Sequence, residues 1–253
     1  MPEHRFHTPL PLTLDVSVPS GEVRVETVDG EEAVVVVDGD ERLVEQTRVE
    51  LDGDRLVVSL RCRMPFGLAR AICDLSLGGR RLSIHACVPH GAAARFATAS
   101  ADLRAEGRLA SLEARTASGA LLVRGEIEGR ATVKTVSGDV QLERVGGDLR
   151  AQTVSGDLDA GPIGGSVEAK SVSGDIRLAS LRSGRASFTS VSGDVEIGIA
   201  RGSFLDVDAG SVSGDLSSEV PLGSEPSALD GEGPTVVLRG KTVSGDVTVF
   251  RAA

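Results

Sequence analysis

One short phrase limits what this chain can fold into. Ser/Thr-Val-Ser-Gly-Asp, followed by Val, Leu or Ile, occurs at Thr135–Val140, Thr153–Leu158, Ser171–Ile176, Ser190–Val195, Ser211–Leu216 and Thr242–Val247. With worn upstream copies included, the repeat centres are Ala101, Gly119, Gly138, Gly156, Gly174, Gly193, Gly214 and Gly245, spaced 18, 19, 18, 18, 19, 21 and 31 residues apart. A fixed period this short is the mark of stacked repeats, each unable to bury its apolar face alone. Eighteen residues are too few for a strand and a crossover helix. They suffice for two short strands and two turns.

The period divides in two. Gly129, Gly147, Gly165, Gly184 and Gly202 fall nine or ten residues after the preceding main glycine. Within each half, apolar residues alternate with polar ones: Val140 and Leu142, then Val145, Leu149 and Ala151, then Leu158 and Ala160. Alternation with period two specifies strands, and the parity flip between halves specifies a reversal of direction. The expected fold is therefore all-β. It is a parallel β-solenoid of roughly eight 18–19-residue coils over residues 91–253, preceded by a β-rich capping region over 1–90. Strict alternation carried through the turn puts Val136, Val154, Val172, Val191, Val212 and Val243 inside. Rows of Thr135, Thr153, Ser171, Ser190, Ser211 and Thr242, of Ser137 and its equivalents, and of Asp139 and its equivalents are then expected outside.

The turn residues Gly119, Gly138, Asp139, Gly156, Asp157, Gly174, Asp175, Gly193, Asp194, Gly214, Asp215, Gly245 and Asp246 are expected to be structural. Ser and Asp accept backbone N–H groups at bends. The glycine is expected to mark a bend or a close approach of the two walls, with a positive φ nearby as the competing reading. Residues 219–234 carry three prolines and three glycines and break the period. They are expected to form a loop before a final coil, Thr242 to Phe250, that closes the stack.

The N-terminal third is less regular. Leu10, Leu12, Leu14, Val16 and Val18 alternate, as do Leu82, Ile84, Ala86 and Val88. Asp52-Gly53-Asp54 between apolar pairs predicts a hairpin. Met64, Phe66, Leu68, Ala71 and Ile72 suggest an apolar loop folded under a sheet edge.

Several function classes are disfavoured. A net charge of −10 argues against nucleic acid and against anionic lipid. No apolar run reaches the roughly 18 residues of a membrane helix, so no membrane insertion is expected. The N-terminus lacks the apolar core of a secretory signal, and three cysteines suit no disulfide scaffold. Both features favour the cytoplasm.

Three constellations bear on chemistry. The Asp columns offer carboxylates about 4.8 Å apart. Calcium-binding solenoids use Gly-Gly-x-Gly-x-Asp turns, whereas each main turn here has one Gly and one Asp, and a clear half-turn Asp occurs only at Asp148. No cation is expected there. Cys62, Cys73, His85, Cys87 and His90 lie within 29 residues, but irregularly and without a Cys-x-x-Cys pair. Ordinary strand partners are expected in preference to zinc. A glycosidase needs two carboxylates in different environments, which a uniform Asp row does not supply. The chain has no Trp or Tyr for sugar stacking. No catalytic residue, cofactor or metal is expected.

The six copies of the motif, together with Leu14-Asp-Val-Ser-Val-Pro-Ser-Gly-Glu-Val-Arg-Val25, resemble a bacterial family of β-strand-repeat proteins labelled putative adhesins, a domain of unknown function. The resemblance implies a parallel β-helix-like stack and, for some relatives, a link to cell-envelope stress. It implies no catalytic residue. The expected function is a non-enzymatic scaffold or protein-interaction module with an unidentified protein partner. End-to-end self-association is expected at the exposed strand edges. The alternatives are a cell-surface adhesin and, third, a polysaccharide-acting β-helix enzyme.

Overall fold

The structure, a computed structural model, describes residues 2–8, 11–60, 82–220 and 233–252. Cys62, Cys73, the apolar segment at 64–72, Leu10 and most of the expected loop at 219–234 lie outside the described residues. Among the described residues the fold is all-β apart from one short helix, and the chain divides into two compact units, Met1–Glu128 and Gly129–Ala253.

The first unit is built around a long strand. After β1 (Glu3–His7), β2 (Thr13–Val28) runs sixteen residues with Leu14, Val16, Val18, Val23 and Val25 buried. Then come β3 (Glu32–Gly39), α1 (Glu41–Gln46), β4 (Thr47–Asp52), β5 (Arg55–Leu60), β6 (Leu82–Pro89), β7 (Ala92–Arg115) and β8 (Leu121–Ile127). The first half of β2 pairs in parallel with β5 and its second half with β6, while β7 follows both halves. Because β7 lies along almost all of β2, the region expected as a cap at 1–90 shares its unit with β7 and β8. The expected hairpin forms between β4 and β5, with Gly53 at φ +62° in its turn. Antiparallel strands also occur at β1–β3 and β3–β6. The helix α1 has no counterpart in the sequence reading. Asp40 caps it, accepting the Arg42 N–H, and Leu43 is its buried residue.

The second unit is regular. It comprises β9 (Ala131–Lys134), β10 (Val140–Val145), β11 (Leu149–Gln152), β12 (Leu158–Ile163), β13 (Val167–Lys170), β14 (Ile176–Leu181), β15 (Gly184–Thr189), β16 (Val195–Ile199), β17 (Phe204–Ser211), β18 (Leu216–Ser218), β19 (Thr235–Thr242) and β20 (Val247–Arg251). Its strand pairs are parallel. β11 lies between β9 and β13 on one wall, and β12 between β10 and β14 on the other. Val140, Leu158, Ile176 and Val195 face each other in register and are at most 3% exposed. Each such side chain contributes about 1.5–3 kcal/mol of apolar burial. This is a stacked, solenoid-like parallel sheet.

The stacking order departs from chain order. β15 and β16 pair with β19 and β20, and β17 and β18 pair with the far side of β19 and β20. The C-terminal repeat therefore sits between two earlier ones, and the repeat at 204–218 is outermost. The expected final coil does not close the stack. Burial differs accordingly between the two repeats. Val236, Leu238, Val247 and Val249 of the inserted repeat are at most 1% exposed, whereas Leu216 of the outer repeat is 41% exposed.

Candidate functional site

The repeated corner is the most regular outward feature of the second unit, and its parity differs from the strand rule. Thr135, Thr153, Ser171, Ser190 and Thr242 are buried, not outward, and Ser211 is half-buried. The next two residues both face solvent. The valine column expected inside is outside: Val136, Val154, Val172, Val191 and Val243 are 42–49% exposed, and Val212 is 83% exposed. Alternation ends where the chain bends, so two consecutive side chains point outward and the parity resets at the glycine.

The buried hydroxyl has a reason to be inside. Thr153 Oγ1 accepts the Gly156 N–H at 3.0 Å and donates to the Gly156 carbonyl at 2.9 Å. Ser171 does the same for Gly174, and Ser190 for Gly193. The corner turns these backbone groups inward, and a hydroxyl is the smallest side chain that both donates and accepts. The glycine is required by the next coil rather than by the opposite wall. A Cβ on Gly156 would lie 2.2 Å from the Gly138 carbonyl oxygen, and one on Gly174 would lie 2.0 Å from that of Gly156. Neither glycine has a positive φ.

The Asp row is also tied between coils. Asp139 accepts the Asp157 N–H at 3.1 Å, Asp157 that of Asp175 at 2.9 Å, and Asp175 that of Asp194 at 2.9 Å. Asp194 accepts from Asp246, and Asp246 from Asp215, in the altered stacking order. A charge-assisted hydrogen bond offsets the repulsion between neighbouring carboxylates. The half-turn Asp148 repeats the device, accepting the Ser166 N–H at 3.0 Å.

The valines form a ladder. Those at Val136, Val154, Val172, Val191 and Val243 are about half exposed, and Val212, on the outermost repeat, is the most exposed. The result is a strip of exposed β-branched side chains about 4.8 Å apart, at the same corner as a row of carboxylates.

A recess across β15, β19 and β17 is lined by Ser187, Thr189, Asp208, Arg239 and Lys241 among others. Among the described residues of that lining, Asp208 is the one carboxylate.

In the first unit, His85 and Cys87 point to one face of β6, opposite buried Leu82, Ile84 and Ala86. The register of β2 brings Glu26 level with Cys87. His85 Nε2 lies 3.3 Å from Glu26 Oε1 and 3.9 Å from Cys87 Sγ. Burial raises the Cys87 thiol above its ordinary value, and the Glu26 charge adds to the rise. His90 lies outside this group, with Nδ1 2.7 Å from Thr27 Oγ1 and Nε2 3.5 Å from Asp29. Glu26 was not legible as a partner from sequence, because 59 residues separate it from His85 and only strand register joins them.

Solved structures of similar fold include a putative lipid-binding protein from Parabacteroides distasonis, with a TM-score of 0.58 and 15% identity over 98% of this chain and 96% of that one. A putative adhesin from Parabacteroides merdae has a TM-score of 0.47 and 13% identity over 98% and 95% of the two chains. A putative adhesin from Bacteroides fragilis has a TM-score of 0.42 and 14% identity over 98% and 95%. No functionally curated protein matches the chain. The profile of the Toastrack DUF4097 family matches residues 12–179 and again 153–250, nearly the whole described chain. The chain with these stacked Val-Ser-Gly-Asp corners belongs to the Toastrack DUF4097 family.

Proposed function

We propose that this protein is a non-enzymatic scaffold that binds another protein through the valine ladder and its Asp row. The observation that carries the reading is the ladder itself. A strip of valines, each more than two-fifths exposed, recurs at the six Val-Ser-Gly-Asp corners of the second unit. Burial does not require valine there, because the inward positions of the same repeats already form the core. Exposed apolar strips of this kind mark interaction surfaces. The carboxylates beside them favour a protein partner whose apolar strip is flanked by Lys or Arg. The net charge of −10 disfavours nucleic acid and anionic lipid.

On this reading the solenoid has roughly eight coils, acts in the cytoplasm, and self-associates through the outer edge at 204–218. A link to cell-envelope stress rests on the family resemblance alone. The test is in vivo crosslinking in the native host with wild type and with V154S/V172S/V191S, folding being checked by circular dichroism. The variant is expected to keep its fold and lose a specific set of crosslinked proteins. An unchanged set overturns the reading.

The alternatives are an adhesin and a lipid-binding protein, the descriptions carried by the similar structures. Fractionation of a tagged full-length chain tests the first. Flotation with zwitterionic vesicles, with and without the valine substitutions, tests the second. Monomeric behaviour at high concentration in light scattering counts against self-association.

A further inference from the structure

We propose that Glu26, His85 and Cys87 form a zinc site on the outer face of the first unit. The three side chains offer one oxygen, one nitrogen and one sulfur, all within 4.8 Å of one another. This set suits a borderline-soft divalent ion such as Zn²⁺ better than Ca²⁺ or Mg²⁺.

Two of the three edges lie near those of a shared ion, and the third, between Glu26 and Cys87, lies within 4.8 Å. Zinc binds nitrogen and oxygen at about 2.0 Å and sulfur at about 2.3 Å. Tetrahedral angles then place nitrogen about 3.3 Å from oxygen and about 3.5 Å from sulfur. The observed edges are 3.3 Å, between His85 Nε2 and Glu26 Oε1, and 3.9 Å, between His85 Nε2 and Cys87 Sγ. Closing the second edge to the tetrahedral value needs a shift of a few tenths of an ångström, within reach of a cysteine rotamer adjustment.

The backbone fixes the arrangement. His85 and Cys87 are two apart on one strand and so share a face. Glu26 is held by the β2–β6 register, in which Glu26 pairs with Cys87. On the other side of β6, the antiparallel register places Val34 beside Cys87 and Val36 beside His85. Both valines are half-buried and form an apolar flank. On the β2 side, Arg24 Nε holds Glu26 Oε1 at 2.9 Å and Arg24 also reaches Glu106 at 3.6 Å. Arg24 thus orients the Glu26 carboxylate and has a second acidic partner when a cation takes the first.

All three ligands are half-buried, neither sealed nor fully solvated. Three protein ligands leave a fourth position for water or for a group from outside, as in zinc sites that are not purely structural. Coordination converts the Cys87 thiol to thiolate and releases its proton to solvent.

The experiment uses the full chain with Cys62→Ser and Cys73→Ser, so that Cys87 is the only thiol. Cobalt(II) is titrated in and then displaced with zinc(II). The expected result is one ion per chain, with a thiolate-to-cobalt charge-transfer band that zinc abolishes. His85→Gln or Glu26→Gln should weaken binding no less than the roughly tenfold loss that follows removal of an outer-shell partner. His90→Gln should leave it unchanged. No thiolate band in this background overturns the proposal, as does binding that is indifferent to Glu26→Gln or His85→Gln. If the double cysteine variant does not fold, zinc calorimetry on the otherwise wild-type chain carrying Cys87→Ser, Glu26→Gln or His85→Gln makes the same distinction. Loss of one tight equivalent in each supports the site, and retention in any of them overturns it.

Discussion

The repeats at 204–218 and 235–251 are built on the same corner but have opposite fates. The first, in β17 and β18, has its inward Leu205, Val207 and Ala209 only half-buried and Phe204 47% exposed. The second, in β19 and β20, is packed between neighbours on both faces, with Leu238, Val247 and Val249 fully buried. A corner motif sets how a coil turns and joins a neighbour. It does not decide which neighbour. An inner coil is covered on two sides and an outer coil on only one, so the same corner leaves the two repeats with different burial.

Backbone contact gives the sharpest way to break the comparison. Gly245→Ala should lose about 3 kcal/mol or more in urea unfolding, because its Cβ would sit 2.1 Å from the Gly193 carbonyl oxygen, and backbone cannot step aside as a side chain can. Gly210→Ala in the outer repeat meets nothing within 4 Å and should be near neutral. The corner glycine of the outer repeat, Gly214, also abuts a carbonyl oxygen, that of Gly245 at 2.3 Å, so the contrast tests the open edge at Gly210, and a large loss there would mean that this edge is covered.

Core truncation comes next. Leu238→Ala should cost about 2–5 kcal/mol. Leu216→Ala, at a site 41% exposed, should cost less than about 1 kcal/mol. If the larger loss fell at Leu216, the inserted order would be wrong.

The corner hydroxyl sharpens the comparison at smaller scale. Thr242→Val keeps the shape but strands the Gly245 N–H, which Thr242 Oγ1 accepts at 3.2 Å. The expected loss is about 1–3 kcal/mol. Thr242→Ser should restore most of it. Ser211→Ala should lose less, since water reaches that half-buried position. Thermal melts of the three variants decide this.

The smallest effect lies where chain order and stacking order agree. Arg177 hydrogen-bonds Glu196 across adjacent coils at 2.7 Å and holds its carboxyl below the usual value. A depressed carboxyl contributes stability above the unfolded pKa of about 4.3 and loses it as pH falls through the lower folded value. Both groups are largely solvated, so Arg177→Gln should cost no more than about 1 kcal/mol at neutral pH. The difference from wild type should vanish in acid. A difference that persists at low pH would point to packing by the Arg177 stem.

The candidate surface was legible only in part. The Asp and Ser rows were readable as outward columns because they recur with the period. The valine ladder is not, since strict alternation predicts these valines inside and alternation stops at the bend. The correction turns on Thr153, whose hydroxyl satisfies Gly156 from inside and forces Val154 out. The zinc-capable group was half legible: His85 and Cys87 two apart on one strand, with Glu26 invisible until β2 met β6.

The amino-acid sequence by itself determined the all-β class, the 18-residue period, the two-strand repeat and the glycine at each main turn. These follow from local alternation and from spacing, which need no knowledge of neighbours. Tertiary structure decided the direction of each corner side chain, the insertion of the last repeat and the meeting of Glu26 with His85 and Cys87. Each depends on which backbone lies one strand away, at about 4.8 Å, and strand register over long sequence separation is carried by no local pattern.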